Sequence, residues 1–131
     1  MPHYFTREEA EALLPEITVI LRKIQAIHQE MHTLEDDLSL LQAQALNNGH
    51  HLHERIMELR RNLAGQLQAL RSAANELQEF GCVLKDPEMG LVDFLSLRDG
   101  QEVFLCWRLG EARISYWHTL DGGFAGRQPL D

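Results

Sequence analysis

From Ile17 the apolar positions run Ile17, Ile20, Ile24, Ile27, Met31, Leu34, Leu38, Leu41 and Ala45, three or four residues apart without a break. The spacing resumes at Leu52, Ile56, Leu59, Leu63, Gln66, Leu70, Ala73, Leu77 and Phe80. Such a repeat keeps one stripe of side chains on one side of a helix and predicts a coiled-coil seam. Asn47-Asn48-Gly49 lies between the runs; it has no apolar content and tolerates left-handed backbone, so it predicts the break. Two helices of about 30 residues, each near 45 Å, joined by so tight a loop must run antiparallel. Leu21, Leu67 and Ala74 sit beside the seam and widen it, which calls for a third element or a second copy of the hairpin.

Ahead of the seam, Thr6-Arg-Glu-Glu9 has the form of a capping box, with Tyr4 and Phe5 placed as a staple. It predicts a short helix over about residues 7–13. Pro15 then either kinks that helix or opens a new one at its first turn, where a missing N–H costs nothing; the second reading is favoured because Glu16 puts an acid near a helix N-terminus.

After Gly81 the period changes to that of strands. Cys82–Asp86 reads as a strand, Pro87–Gly90 as a turn, and Leu91–Arg98 and Gln101–Leu109 as extended segments around Asp99-Gly100, a pair suited to a type I′ hairpin turn. Gly110-Glu111 marks a second turn, and Arg113–Leu120 a further strand. The tail, Asp121–Asp131, carries three glycines and a proline and predicts a loop pinned by Phe124 and Arg127. The expected class is α+β in one domain, 1–131. A helical hairpin with its short N-terminal helix fills 1–80, and an antiparallel β-meander of three to four strands with a C-terminal loop fills 81–131.

Charge narrows the functional classes. The net charge is −8, and acids exceed bases on both sides of Gly81. No basic patch is available to neutralise phosphates or an anionic membrane, so neither nucleic acid nor membrane is an expected partner. No apolar run approaches the ~18 residues of a membrane span, and the N-terminus has no secretory pattern, so the expected location is cytoplasmic. Cys82 and Cys106 form no Cys-x-x-Cys pair and are expected as buried free thiols.

The segments Gly90-Leu-Val-Asp-Phe94, Leu105-Cys-Trp-Arg-Leu-Gly-Glu111 and Tyr116-Trp-His-Thr-Leu-Asp-Gly-Gly-Phe-Ala-Gly-Arg127, with the opening Phe5-Thr-x-x-Glu-Ala-x-x-Leu-Leu-Pro15, resemble the DUF2203 family of bacterial proteins. The resemblance spans essentially the whole chain, the helical middle only in pattern. It implies that Asp93, Cys106, Trp107, Glu111, Trp117, His118 and Arg127 are recurrent positions. The family is one of unknown function, so the resemblance implies no reaction, cofactor or partner.

Register decides which of these residues meet. The Asp99-Gly100 turn sets Asp93 opposite Cys106, Phe94 opposite Leu105 and Val92 opposite Trp107. A two-residue turn at Gly110-Glu111 would put His118 opposite Val103, on the sheet side away from Cys106. A three-residue loop would put it opposite Phe104, sharing a side with Asp93 and Cys106, and avoids facing Arg113 with Arg108.

A candidate polar site follows: Asp93, Cys106, Glu111, His118, Asp121 and Arg127, with Trp107 and Trp117 as aromatic walls. Cys106 beside a histidine and an aspartate has the composition of an activated thiol, yet its mid-strand position argues for a packed core residue. Glu111, His118 and Asp121 are ligand types, but their spacing fits no closed site, and no metal or cofactor is expected. His50, His51 and His53 at the hairpin tip are read as loop residues. Gly122–Arg127 could cradle a phosphate, but a turn in which Arg127 pairs with Glu111 or Asp93 fits better. The expected function is a non-enzymatic interaction module that forms a homodimer through the hairpin; the alternative is a small-molecule- or metal-binding enzyme with its site on the C-terminal sheet.

Overall fold

The computed structural model describes residues 2–131, the side chains of residues 47–50 excepted. Helix α1 spans Arg7–Asn48, one 3-10 turn covers Gly49–Leu52, and helix α2 spans His53–Glu79. Five strands follow: β1 (Val83–Asp86), β2 (Leu91–Arg98), β3 (Gln101–Arg108), β4 (Tyr116–Thr119) and β5 (Gln128–Pro129). They form one antiparallel sheet in the order β1-β2-β3-β4-β5. The architecture is α+β, a helical hairpin with a meander at its open end. The helices run antiparallel, as the four-residue connection requires and the Lys23–Glu76 ion pair at 3.4 Å records.

The capping box closes as the sequence indicates. The Glu9 amide donates to Thr6 Oγ1 at 3.1 Å, and the Thr6 amide donates to Glu9 Oε1 at 3.1 Å. The expected short helix does not end before Pro15; α1 runs through it for 42 residues. An interior proline removes one backbone hydrogen bond and costs about 3 kcal/mol. Pro15 lies on the solvent face, whereas Leu14, Ile17, Ile20, Leu21 and Ile24 around it are all buried. Each such side chain contributes roughly 1.5–3 kcal/mol, so the continuous buried stripe outweighs the lost bond. The break also falls later than expected, because α1 continues through Asn48 before the 3-10 turn begins at Gly49.

The core lies between one sheet face and the near half of the hairpin. Val92, Phe94, Leu105 and Trp107 pack with Ala10, Leu14, Ile17, Leu21, Ile24, Ala73 and Leu77. The N-terminal arm joins them. The Phe5 amide donates to the Leu95 carbonyl at 2.8 Å, Ser96 Oγ donates to the Phe5 carbonyl at 2.6 Å, and the Phe5 ring meets Phe94 edge-on at 5.2 Å.

The β2–β3 register is the one expected from the Asp99-Gly100 turn, whose two residues both have positive φ (53° and 80°). The β3–β4 register sets His118 opposite Phe104 and Cys106 opposite Tyr116, the alternative that gathers the polar residues on one side. The connection is longer than a three-residue loop, because the strands part after Arg108 and rejoin at Tyr116. Ile114 in this loop is fully buried against the helices, and its amide donates to Glu11 Oε2 at 3.1 Å. The tail is not wholly a loop. Gln128 and Pro129 pair with Trp117 and Tyr116 as a fifth strand, and the Leu130 amide donates to the Ser115 carbonyl at 2.9 Å. These two residues carry no alternating pattern of their own; the free edge of β4 recruits them.

Two predictions test these local arguments. Gly90 has φ of +69°, and a Cβ there would lie 2.6 Å from Leu109 Cβ. Gly90→Ala is expected to destabilise the fold by about 1–3 kcal/mol in urea titrations. The Thr6 amide bond, followed by the Thr6 hydroxyl contact, holds the Glu9 carboxyl below the ordinary glutamate range. Its contribution is complete above that range and is lost as pH falls through the depressed folded value. The Tm gap between the native chain and Glu9→Ala is therefore expected to narrow on acidification.

Candidate functional site

Strand alternation divides the candidate residues. Val92, Phe94, Leu105 and Trp107 face the helices, so their neighbours Asp93 and Cys106 must face away from them. Trp117 packs on the helix-side core, and His118 beside it points outward. Asp93, Cys106 and His118 thus come from β2, β3 and β4 onto one sheet face, where they are 1%, 0% and 2% exposed. Trp107 and Trp117 do not wall this site; they occupy the opposite face. Trp107 Nε1 donates to the Glu111 carbonyl at 3.1 Å, and the Arg98 guanidinium lies 4.9 Å from the Trp117 ring.

The hydrogen bonds of His118 fix its tautomer. Nδ1 lies 2.6 Å from the Thr119 carbonyl oxygen, which can only accept, so Nδ1 carries a proton. Nε2 lies 2.9 Å from Asp93 Oδ2. One further proton must lie between these two atoms for the contact to be attractive. Asp93 Oδ1 is buried with no hydrogen-bond partner among the described residues.

Cys106 is not an activated nucleophile in this arrangement. Both ring nitrogens of His118 are engaged elsewhere, and the carboxylate beside the thiol, Asp93, disfavours the thiolate. Burial, then the Asp93 charge, push its thiol up to about 12, against partial opposition from Arg127. Cys82 is also free and buried, and burial pushes its thiol up to about 11.

The outer face is sealed on one side by the C-terminal segment. Arg127 Nη2 donates to Glu111 Oε1 at 2.7 Å, to Glu111 Oε2 at 3.0 Å and to the Cys106 carbonyl at 3.2 Å. Its guanidinium stacks 4.1 Å from the Tyr116 ring centre and 4.8 Å from that of Phe124. Glu111 Oε1 also accepts from the Arg108 amide at 2.8 Å. The Gly122–Arg127 segment is therefore a structural strap, with Arg127 spent on Glu111.

On the other side the face opens. A cleft of about 380 Å³ reaches Asp93 and His118 between Lys85, Asp86 and Met89 and the turn carrying Leu120, Asp121 and Phe124. Asp121 Oδ1 accepts from Thr119 Oγ1 at 3.0 Å at its rim. Glu111 is not brought to His118 and Asp121, so those three form no common site. Among the described residues, the ligand atoms of Asp93, Cys106 and His118 converge, all within 4.8 Å of one another. Of the tip histidines, His51 and His53 are exposed, and the His50 side chain lies outside the described residues.

Residues 3–130 match the family described as Uncharacterized conserved protein (DUF2203). The chain belongs to the DUF2203 family. Comparisons with curated proteins and with solved structures return no match.

Several groups that shape the site in this DUF2203 protein were not singled out from the sequence. The Thr119 carbonyl sets the histidine tautomer, and Lys85 reaches over the Phe104 ring at 5.3 Å. Lys85 has a sequence signal, because it sits two residues from outward-facing Val83 on β1. The carbonyl has none.

The strap makes a mutational prediction for the DUF2203 fold. Arg127→Ala removes three charge-assisted bonds and the ring stacking, and is expected to cost about 2–4 kcal/mol. Arg127→Lys restores the charge but not the planar group that stacks on Tyr116 and Phe124, so it recovers only part of the loss in chemical denaturation. Cys82 and Cys106 are expected to resist alkylation at neutral pH in the native protein and to react once it is unfolded, as mass spectrometry would record.

Proposed function

We propose that this protein is a non-enzymatic self-association module that forms a homodimer through the far half of its hairpin, by seam packing of the coiled-coil type. The observation that carries the reading is the projection of the hairpin beyond the sheet. The shared core takes α1 only as far as Ile27, with Met31 at its margin, and α2 only from Ala73, with Leu70 at its margin. Past these points α1 runs on for some 17 residues, about 25 Å, alongside α2. Leu34, Ile56 and Leu59 are buried in this arm, but Leu38, Leu41, Leu63 and Leu70 are half-buried, and Leu67 beside them is 39% exposed. Two helices cannot close an apolar stripe of this width; four can.

The charges favour a second copy as the partner. On α1, Glu30, Glu35, Asp36 and Asp37 stand in a stretch without a lysine or arginine from Ile24 to Asn48. In the projecting part of α2, residues 53–70, Arg55, Arg60 and Arg61 stand with Glu54 and Glu58, a small positive excess. A two-fold axis that sets α1 of one copy beside α2 of the other brings the acidic stretch of α1 to Arg60 and Arg61 while it buries the apolar stripe.

The native chain is expected to sediment at twice its 15.1 kDa mass at micromolar concentration. Leu67→Glu changes a side chain already exposed in one copy, so folding is spared while the dimer weakens at least tenfold. A native chain that sediments as a single copy up to 100 micromolar would refute the reading.

A further inference from the structure

The outer face of the sheet carries a second capability, remote from the projecting arm. With its Nδ1 proton committed to the Thr119 carbonyl, His118 aims the Nε2 lone pair at Asp93 Oδ2, 2.9 Å away. Two acceptors this close repel unless something positive lies between them. A proton satisfies that requirement and so does a metal cation. The second oxygen of the same carboxylate, Asp93 Oδ1, is buried and unpartnered, an open coordination valence where a hydrogen bond is otherwise expected. Cys106 supplies a third donor, and the three ligand atoms lie within 4.8 Å of one another.

We propose that Asp93, Cys106 and His118 form a zinc-binding site whose fourth position faces the cleft beside Lys85 and Asp121. One thiolate, one imidazole and one carboxylate make a borderline-soft donor set, which suits zinc and is wrong for magnesium or calcium, whose ligands are oxygens. Bond lengths of about 2.0–2.3 Å in a tetrahedron place donor atoms roughly 3.3–3.6 Å apart. The contacts here bracket that spacing, so closing on an ion takes shifts of about an ångström or less in side chains carried by three registered strands. The Thr119 carbonyl already provides the outer hydrogen bond that orients a ligating imidazole. Binding releases the Cys106 thiol proton and the proton shared by Asp93 and His118 to solvent, and the dication replaces both charges. Asp93 and His118 line the cleft whereas Cys106 is fully enclosed, so a ligand in the fourth position would enter from the carboxylate and imidazole side.

The test uses the full chain stripped with a chelator. Calorimetric titration with zinc is expected to give one ion per chain, and cobalt(II) a near-ultraviolet thiolate-to-metal charge-transfer band. Asp93→Asn keeps the fold, because its amide can donate to His118 Nε2, but is expected to weaken zinc binding on the order of 100-fold. Cys106→Ser removes the charge-transfer band. Replacing His50, His51 and His53 together by alanine leaves both readouts unchanged. The proposal is overturned if cobalt gives no charge-transfer band with the native chain. It is equally overturned if zinc affinity is the same in Asp93→Asn as in the native chain, or if binding disappears with the tip histidines. Each variant is checked for native circular dichroism, and the cobalt spectrum of the native chain decides the matter independently of all of them.

Discussion

The two-residue alternation of side chains along β2, β3 and β4, held in one register, governs everything else in this molecule. It sends Val92, Phe94, Leu105 and Trp107 into the helices and Asp93, Cys106 and His118 the other way. A slip of one residue flips the strand that slips: in β2 it would turn the Asp93 carboxylate toward the helices, in β3 it would strand Trp107 outside, and in β4 it would turn the His118 imidazole inward and Trp117 outward. The register is pinned at one end by the Asp99-Gly100 turn and at the other by Glu111, whose backbone binds Trp107 on one face and whose side chain binds Arg127 on the other. Specificity of the polar face and burial of the apolar face are therefore one constraint.

That constraint explains why a small sheet can keep a buried polar trio. A polar cluster inside a thin domain is costly unless its members satisfy one another. Here the helices supply the apolar burial on the inner face, and the outer trio is flanked on one side by a strap whose own charge is neutralised by Glu111. Stability is concentrated where helices and sheet overlap. The far arm of the hairpin buries only a thin apolar stripe, Leu34, Ile56 and Leu59, and leaves Leu67 exposed.

The helical hairpin was legible because the seam repeats for four heptads, and periodicity of that length overrides single residues. For the same reason Pro15 does not end the helix: the long buried stripe outweighs the local preference of proline for a first turn. The β2–β3 pairing was readable from one dipeptide. The β3–β4 pairing was not, because Ile114 and the Glu11 carboxylate, distant in sequence, shape the connection. The fifth strand was invisible for a related reason, since Gln128 and Pro129 are extended only by virtue of the edge they meet. Asp93, Cys106 and His118 were recognisable as candidates, but their convergence depended on a register with two readings. The tryptophans do not wall the site, because adjacency in the strand assigns Trp117 to the face opposite His118 and Trp107 to the face opposite Cys106.

The short N-terminal arm has a role beyond packing. β1 reaches β2 only as far as Asp93, so the rim of β2 from Phe94 onward would stand unpaired, and Phe5 bonds across it through the carbonyl of Leu95 and the hydroxyl of Ser96. An uncovered rim of this kind is a template for strand addition between molecules. A few residues ahead of the first helix thus act as a guard rail against stacking. Proteolytic trimming of that arm would turn a discrete particle into one that can polymerise edge to edge.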